Sequence, residues 1–134
     1  MTDNTWMDEQ TCWAHLRQEP VGRLGYHLVD EVHIVPVNYV VDGERLVFRT
    51  RPGSKLLGVV MDAAVAFEID GGDRYRPWSV LARGQARVLE GAEARAAEEL
   101  PLRPWISRDR FTFVAIEVQE LTGRQFELTE DATD

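Results

Sequence analysis

The sequence predicts a mainly β domain: about six antiparallel strands closed on themselves as a Greek-key or split barrel, with three short helices outside. Three observations carry that expectation. Apolar and polar residues alternate with period two in most of the stretch 21–89, short turns containing Gly or Asp separate the alternating runs, and three segments of helical character interrupt them. Short turns make consecutive strands antiparallel neighbours. A chain of 134 residues, 44% hydrophobic, suits one domain, and no repeat, linker or low-complexity run offers a place to cut it. Residues 1–134 therefore read as a single domain, with flexible tails expected at 1–6 and 128–134.

The first element is a helix over residues 7–18, which contain no Gly or Pro, carry Asp8 and Glu9 in the first turn, and stop before Pro20. Strands follow at 21–29, 32–41 and 45–51. Asp30-Glu31 makes the first tight connection and Asp42-Gly43 the second, since Gly readily takes the positive φ of a two-residue hairpin turn. After Pro52-Gly53, Ser54 is placed to cap a helix of about ten residues in which Leu56, Val59 and Val60 recur at helical spacing. Residues 64–70 alternate again, with Val65, Phe67 and Ile69 on one face. A turn at 71–73 leads to a long strand at 76–89, whose Trp78, Val80, Ala82, Gly84, Ala86 and Val88 share one face. An Ala- and Glu-rich helix at 92–100 ends at Pro101, and a last strand covers 111–118.

Charge excludes several functions. With 15 basic and 23 acidic residues the net charge is −8, so the surface as a whole repels nucleic acid and anionic membranes. The single Cys12 forms neither an internal disulfide nor a multi-cysteine zinc site, and it reads as a small buried hydrophobe. The polar N-terminus lacks a signal-peptide pattern, which predicts a cytoplasmic protein. His15, His27 and His33 lack the i, i+4 spacing of a helical metal site and read as partly exposed surface histidines, so no metal is expected.

Against that acidic background, residues 45–61 hold Arg45, Arg49, Arg51 and Lys55 and no acidic residue, a local charge of +4. Within it, the run from Arg49 to Lys55 passes from a strand end through a turn into a helix start. Free amides at the helix start, the Ser54 and Thr50 hydroxyls, the Lys55 ammonium and the Arg49 guanidinium form a site suited to a phosphate. The spacing is not that of a nucleoside-triphosphatase loop.

The order of these residues carries a resemblance. Val21-Gly22-Arg23-Leu24, then Pro36-Val37-Asn38-Tyr39-Val40-Val41-Asp42-Gly43, then Phe48-Arg49-Thr50 and Ser54-Lys55, then Trp78-Ser79-Val80 and Arg83-Gly84, resembles the pyridoxamine 5′-phosphate oxidase-like, FMN-binding split-barrel family. The likeness covers about residues 7–90 well and 111–126 more loosely.

The resemblance implies a homodimer of six-stranded split barrels with two FMN sites at the subunit interface. It implies that Arg49, Thr50, Ser54 and Lys55 hold the phosphate, that Val37 and Asn38 lie against the isoalloxazine ring, and that Trp78 and Ser79 lie near the ring or ribityl chain. The activity implied is that of an FMN-dependent oxidoreductase, passing hydride through the flavin between a reductant such as a nicotinamide and a small molecule, with no dedicated catalytic side chain required. Relatives on the same scaffold bind the deazaflavin F420, haem or a bilin, and a flavin-binding module without turnover is a further alternative. Members that oxidise pyridoxamine phosphate carry a C-terminal arginine-containing motif. Here Thr122-Gly123-Arg124-Gln125-Phe126 precedes an acidic tail, which points to another substrate. The residues that select it are expected near 101–110, at the termini and in the partner subunit.

Overall fold

The computed structural model of the chain describes residues 2–61, 63–102 and 111–128. Among them the order of elements is β1 (Thr2–Met7), α1 (Glu9–Gln18), β2 (Val21–Leu28), β3 (Glu31–Asp42), β4 (Arg45–Thr50), α2 (Lys55–Val60), β5 (Ala64–Gly71), β6 (Trp78–Val88), α3 (Gly91–Ala97) and β7 (Thr112–Leu128). Neighbours run β7-β4-β3-β2-β5-β6, and β6 pairs back onto β7, so six antiparallel strands close a ring. The mainly β barrel read from the sequence is the observed fold, with one strand more than expected.

That seventh strand is β1, which replaces the expected flexible tail at residues 1–6. Its origin lies in β7. On one edge of β7, β4 covers positions 112–117, and the same edge farther along, 123–128, pairs with β1 from Met7↔Gly123 to Thr2↔Leu128. A free edge is a template for any chain that reaches it, so a segment without an alternating pattern of its own becomes a strand. At the other terminus β7 runs on to Leu128, ten residues past the expected end, and residues 129–134 lie outside the described residues.

Period-two pleating sends Leu24, Phe48, Phe67, Ile69, Val80 and Ile116 into one core, each at most 1% exposed. α1 adds Cys12 and Leu16 to it. Asp8 caps this helix by accepting the Thr11 N–H at 2.8 Å, and the buried Tyr39 hydroxyl donates to the Leu16 carbonyl at 2.6 Å, tying the helix to β3. Cys12 is fully buried and its thiol is pushed up by that burial, with Asp8 and Glu9 adding to the effect, so it acts as a core hydrophobe. A second apolar cluster, Val47, Leu89, Phe113 and Ala115, takes Ala97 of α3.

Both early hairpins turn one residue away from the expected pairs. Leu28 pairs with Glu31, leaving Val29-Asp30 as the loop, and Asp42 pairs with Arg45, leaving Gly43-Glu44. Gly43 takes φ +64° without strain, whereas the β-branched Val29 is held at φ +56°, a conformation that costs such a residue free energy. α2 spans six residues rather than ten, because the chain re-enters the sheet at once: the Ala63 carbonyl accepts from the Ala86 amide at 2.8 Å. Among the described residues no helix is long and apolar enough to cross a membrane.

Candidate functional site

β3 and β4 leave their hairpin as a paired ladder and then part. Pairing runs only from Asp42↔Arg45 to Tyr39↔Phe48, after which β3 continues alongside β2 alone. The gap between the diverging strands is a cleft of about 340 Å³, lined on the β3 side by Val35, Pro36, Val37 and Asn38 and on the β4 side by Arg49, Thr50 and Arg51. Ser54 and Leu56 supply its end, and Leu102 and Phe111 a further wall.

The polar end is built locally. In the turn Arg51-Pro52-Gly53-Ser54, Pro52 sets the first central φ, Gly53 adopts φ +76°, and the Ser54 N–H donates to the Arg51 carbonyl at 3.1 Å. This places Ser54 as the cap of α2, its Oγ accepting from the Leu57 N–H at 3.1 Å while lying 3.0 Å from Thr50 Oγ1. Either hydroxyl can donate in that pair, so one of the two protons stays free to point at a ligand oxygen. The Arg49 guanidinium sits 4.8 Å over the Phe111 ring, an arrangement that fixes the plane of its donor fork. Two arginines, two hydroxyls, the apolar Val35, Val37, Leu56 and Leu102 and an aromatic ring suit a flat, largely apolar ligand with an anionic tail.

Five of the eight residues singled out in the sequence, Val37, Asn38, Arg49, Thr50 and Ser54, thus line one cleft. Lys55 is the first residue of α2, beside them in the chain; its side chain lies outside the described residues. Trp78 and Ser79 are not brought to this cleft. The Trp78 ring stacks on His15 with centroids 3.9 Å apart, and Ser79 pairs with Asp70 and Arg124 on β5 and β7. His15 therefore has an aromatic partner that its sequence context did not reveal. Val35, Arg51, Leu56, Leu102 and Phe111 are additional lining residues. Nothing in the sequence near Phe111 marks it, because it reaches the cleft only through the pairing of β7 with β4. The loop expected to select the substrate lies mostly at 103–110, outside the described residues.

The basic island does not act as one. Arg45, on the same strand as Arg49, is drawn to Asp42 and Glu93 at 3.0 Å each and to Glu117 at 3.7 Å, away from the cleft. The shorter α2 also offers less dipole than a ten-residue helix would. The anion-binding capacity of the cleft thus rests on side chains more than on the helix start.

His33 stacks on Tyr26 with centroids 5.4 Å apart, and its Nε2 lies 3.0 Å from Glu31 Oε2, close enough to pair when protonated but not aligned as a hydrogen bond. On the outward face of the sheet, Val32 and Ile34 are 69% and 72% exposed beside a broad groove of about 600 Å³, floored by Gly25, Ala64, Ala66 and Gly84. Among the described residues no three His, Cys, Asp or Glu side chains are grouped to hold a metal ion.

A family model described as pyridoxamine 5′-phosphate oxidase matches residues 8–125. An uncharacterised protein of Mycobacterium tuberculosis is 39% identical over 88 residues, 65% of this chain and 80% of that protein. An FAD binding protein from Mycobacterium smegmatis superimposes with a TM-score of 0.86 at 32% identity, covering 93% of this chain and all of that one. A conserved protein of unknown function from Corynebacterium diphtheriae gives a TM-score of 0.81 at 37% identity, over 92% and 98% of the two chains.

Proposed function

The chain belongs to the pyridoxamine 5′-phosphate oxidase family of split-barrel proteins, and from that membership we propose that it is a flavin-dependent oxidoreductase whose flavin lies in the cleft between β3 and β4. One observation carries the reading: the split in the barrel joins an open strand edge and apolar walls to an anion-binding end. The tricyclic ring lies against the β3 edge at Val37 and Asn38, where main-chain groups meet its polar rim. Arg49, Arg51, Thr50 and Ser54, with Lys55 beside them, hold the phosphate that FMN and FAD share. The 32% identical Mycobacterium smegmatis relative binds FAD, so both flavins belong in the test. A bound flavin supplies hydride transfer to or from a small molecule, and the protein supplies position, desolvation and charge.

The half-open cleft covers one side of such a ligand, whereas tight small-molecule sites enclose about 70–90% of it. The second wall in this proposal is another copy of the chain. The exposed Val32 and Ile34 and the small-residue groove beside them are the surface offered for it.

Purified protein is expected to be yellow, or to take up FMN or FAD with quenching of flavin fluorescence. Arg49→Ala should weaken the phosphate contact by about tenfold or more, since a charge-assisted hydrogen bond contributes on the order of 1.5–3 kcal/mol. Colourless protein that binds neither flavin in titration refutes the proposal.

A further inference from the structure

β3 and β4 part beyond Tyr39↔Phe48, and Pro36 lies three residues from that last pair on the parted stretch of β3. The Tyr39 N–H donates to the Pro20 carbonyl at 3.2 Å on the β2 side, and main-chain groups alternate in direction along a strand. The odd residues of β3 therefore aim their backbone at β2, and the even ones, among them Ile34, Pro36 and Asn38, aim it at the open side. Continuing the observed register from Tyr39↔Phe48 sets Asn38 opposite Arg49 and Pro36 opposite Arg51. At position 36 a continued ladder would require an N–H toward β4. Proline has none.

We propose that Pro36 is the residue that keeps β3 and β4 apart and thereby sets the width of the ligand cleft. The proposal rests on the reading of that cleft as the flavin site. A residue with an N–H at position 36 lets the ladder run three pairs farther, to Arg51. The strands then come to about 4.8 Å, too close to admit a ring between them. Pro36 also keeps this open edge of β3 from recruiting a foreign strand, the usual hazard of an exposed edge. The cleft is maintained at the expense of ladder hydrogen bonds, so relieving the block should tighten the barrel while impairing binding.

The test compares Pro36→Val with wild type by amide hydrogen exchange, thermal unfolding and FMN titration. Closure is expected to protect the amides at position 36 and at Asn38 by about tenfold or more relative to Ile34, which lies on the same edge past the end of β4. The unfolding midpoint should rise and FMN affinity fall by about tenfold or more, the cost of forcing the strands apart again. If the amide at position 36 exchanges as fast as that of Ile34, or if the strands close and FMN binds unchanged, Pro36 does not set the cleft. Pro36→Ala restores the same donor with a smaller side chain and replaces Pro36→Val should that variant misfold. If wild type itself binds no flavin, the proposed function fails, and amide exchange alone still decides whether Pro36 separates the strands.

Discussion

Gly84 sits in β6 at the register shift between Arg83 and Gly84, where β7 crosses so closely that a Cβ would be driven into the Glu117 carbonyl oxygen. Backbone cannot move aside as a flexible side chain can. Gly84→Ala is therefore expected to lower stability by about 1–3 kcal/mol in calorimetry. Gly58→Ala, in α2 with nothing near its Cβ, should be neutral or stabilising and serves as the control. Tyr39 illustrates a polar group in the core: its hydroxyl donates to the Leu16 carbonyl at 2.6 Å and so ties β3 to α1. Tyr39→Phe removes that donor and leaves the carbonyl short of a partner, for an expected loss of about 1–2 kcal/mol in denaturant unfolding. Sequence alternation marked Tyr39 as a strand residue. It could not show that a carbonyl 23 positions earlier would receive the hydroxyl.

α3 has no side-chain cap at Glu90, and its seven residues are too few to stand alone, so its place depends on docking. Ala97 enters the second apolar cluster, and Glu93 is gripped by Arg87 at 2.8 Å and Arg45 at 3.0 Å. Hydrogen bonds from Arg87 and then Arg45 hold the Glu93 carboxyl down at about 2, against an ordinary value of 4.5. A depressed acid contributes stability that is complete above its unfolded value and disappears as pH falls through its folded one. Glu93→Gln should thus lower the unfolding midpoint at pH 7, and the gap from wild type should close between pH 4.5 and about 2. Because the group is solvent-exposed, salt should narrow the gap as well. A gap independent of pH would mean that packing, not the ion pairs, holds α3. The helix itself was readable from its Ala and Glu content. The strand assignments at 21–88 were readable too, because each carries its own alternation and its own turn. β1 was not: its strand state belongs to the edge of β7 that it meets.

For the molecule as a whole, the question is how its outward sheet is covered. β3 is apolar on both faces: Val35 and Val37 pack against the core while Val32 and Ile34 face outward. A strand of that kind is ordinary in a barrel that meets another surface and unusual on one that does not. On the proposed dimer, Val32→Glu with Ile34→Glu should give a monomer in light scattering, with an unchanged circular dichroism spectrum and weakened flavin uptake, since the partner's wall of the proposed site is lost. A dimer that persists through both substitutions would place the interface elsewhere.

What local chemistry could decide, it decided in the chain order: period-two runs made the strands, the Gly43-Glu44 and Pro52-Gly53 pairs set the reversals, and Ser54 capped α2. Those interactions span a few residues, so they are written where they act. The site was half local in the same sense, for Arg49, Thr50 and Ser54 lie within six positions and reach one cleft together. Closure of the ring decided the rest. It sent Arg45 to Glu93 instead of to the cleft, brought Phe111 under Arg49, set Trp78 against His15, and made a strand of Thr2–Met7 where a flexible tail was expected at 1–6. Each of these depends on which distant strand becomes a neighbour, and the ring forms only when β6 finds β7 across 26 to 47 residues of chain, a cooperative choice that no single segment contains.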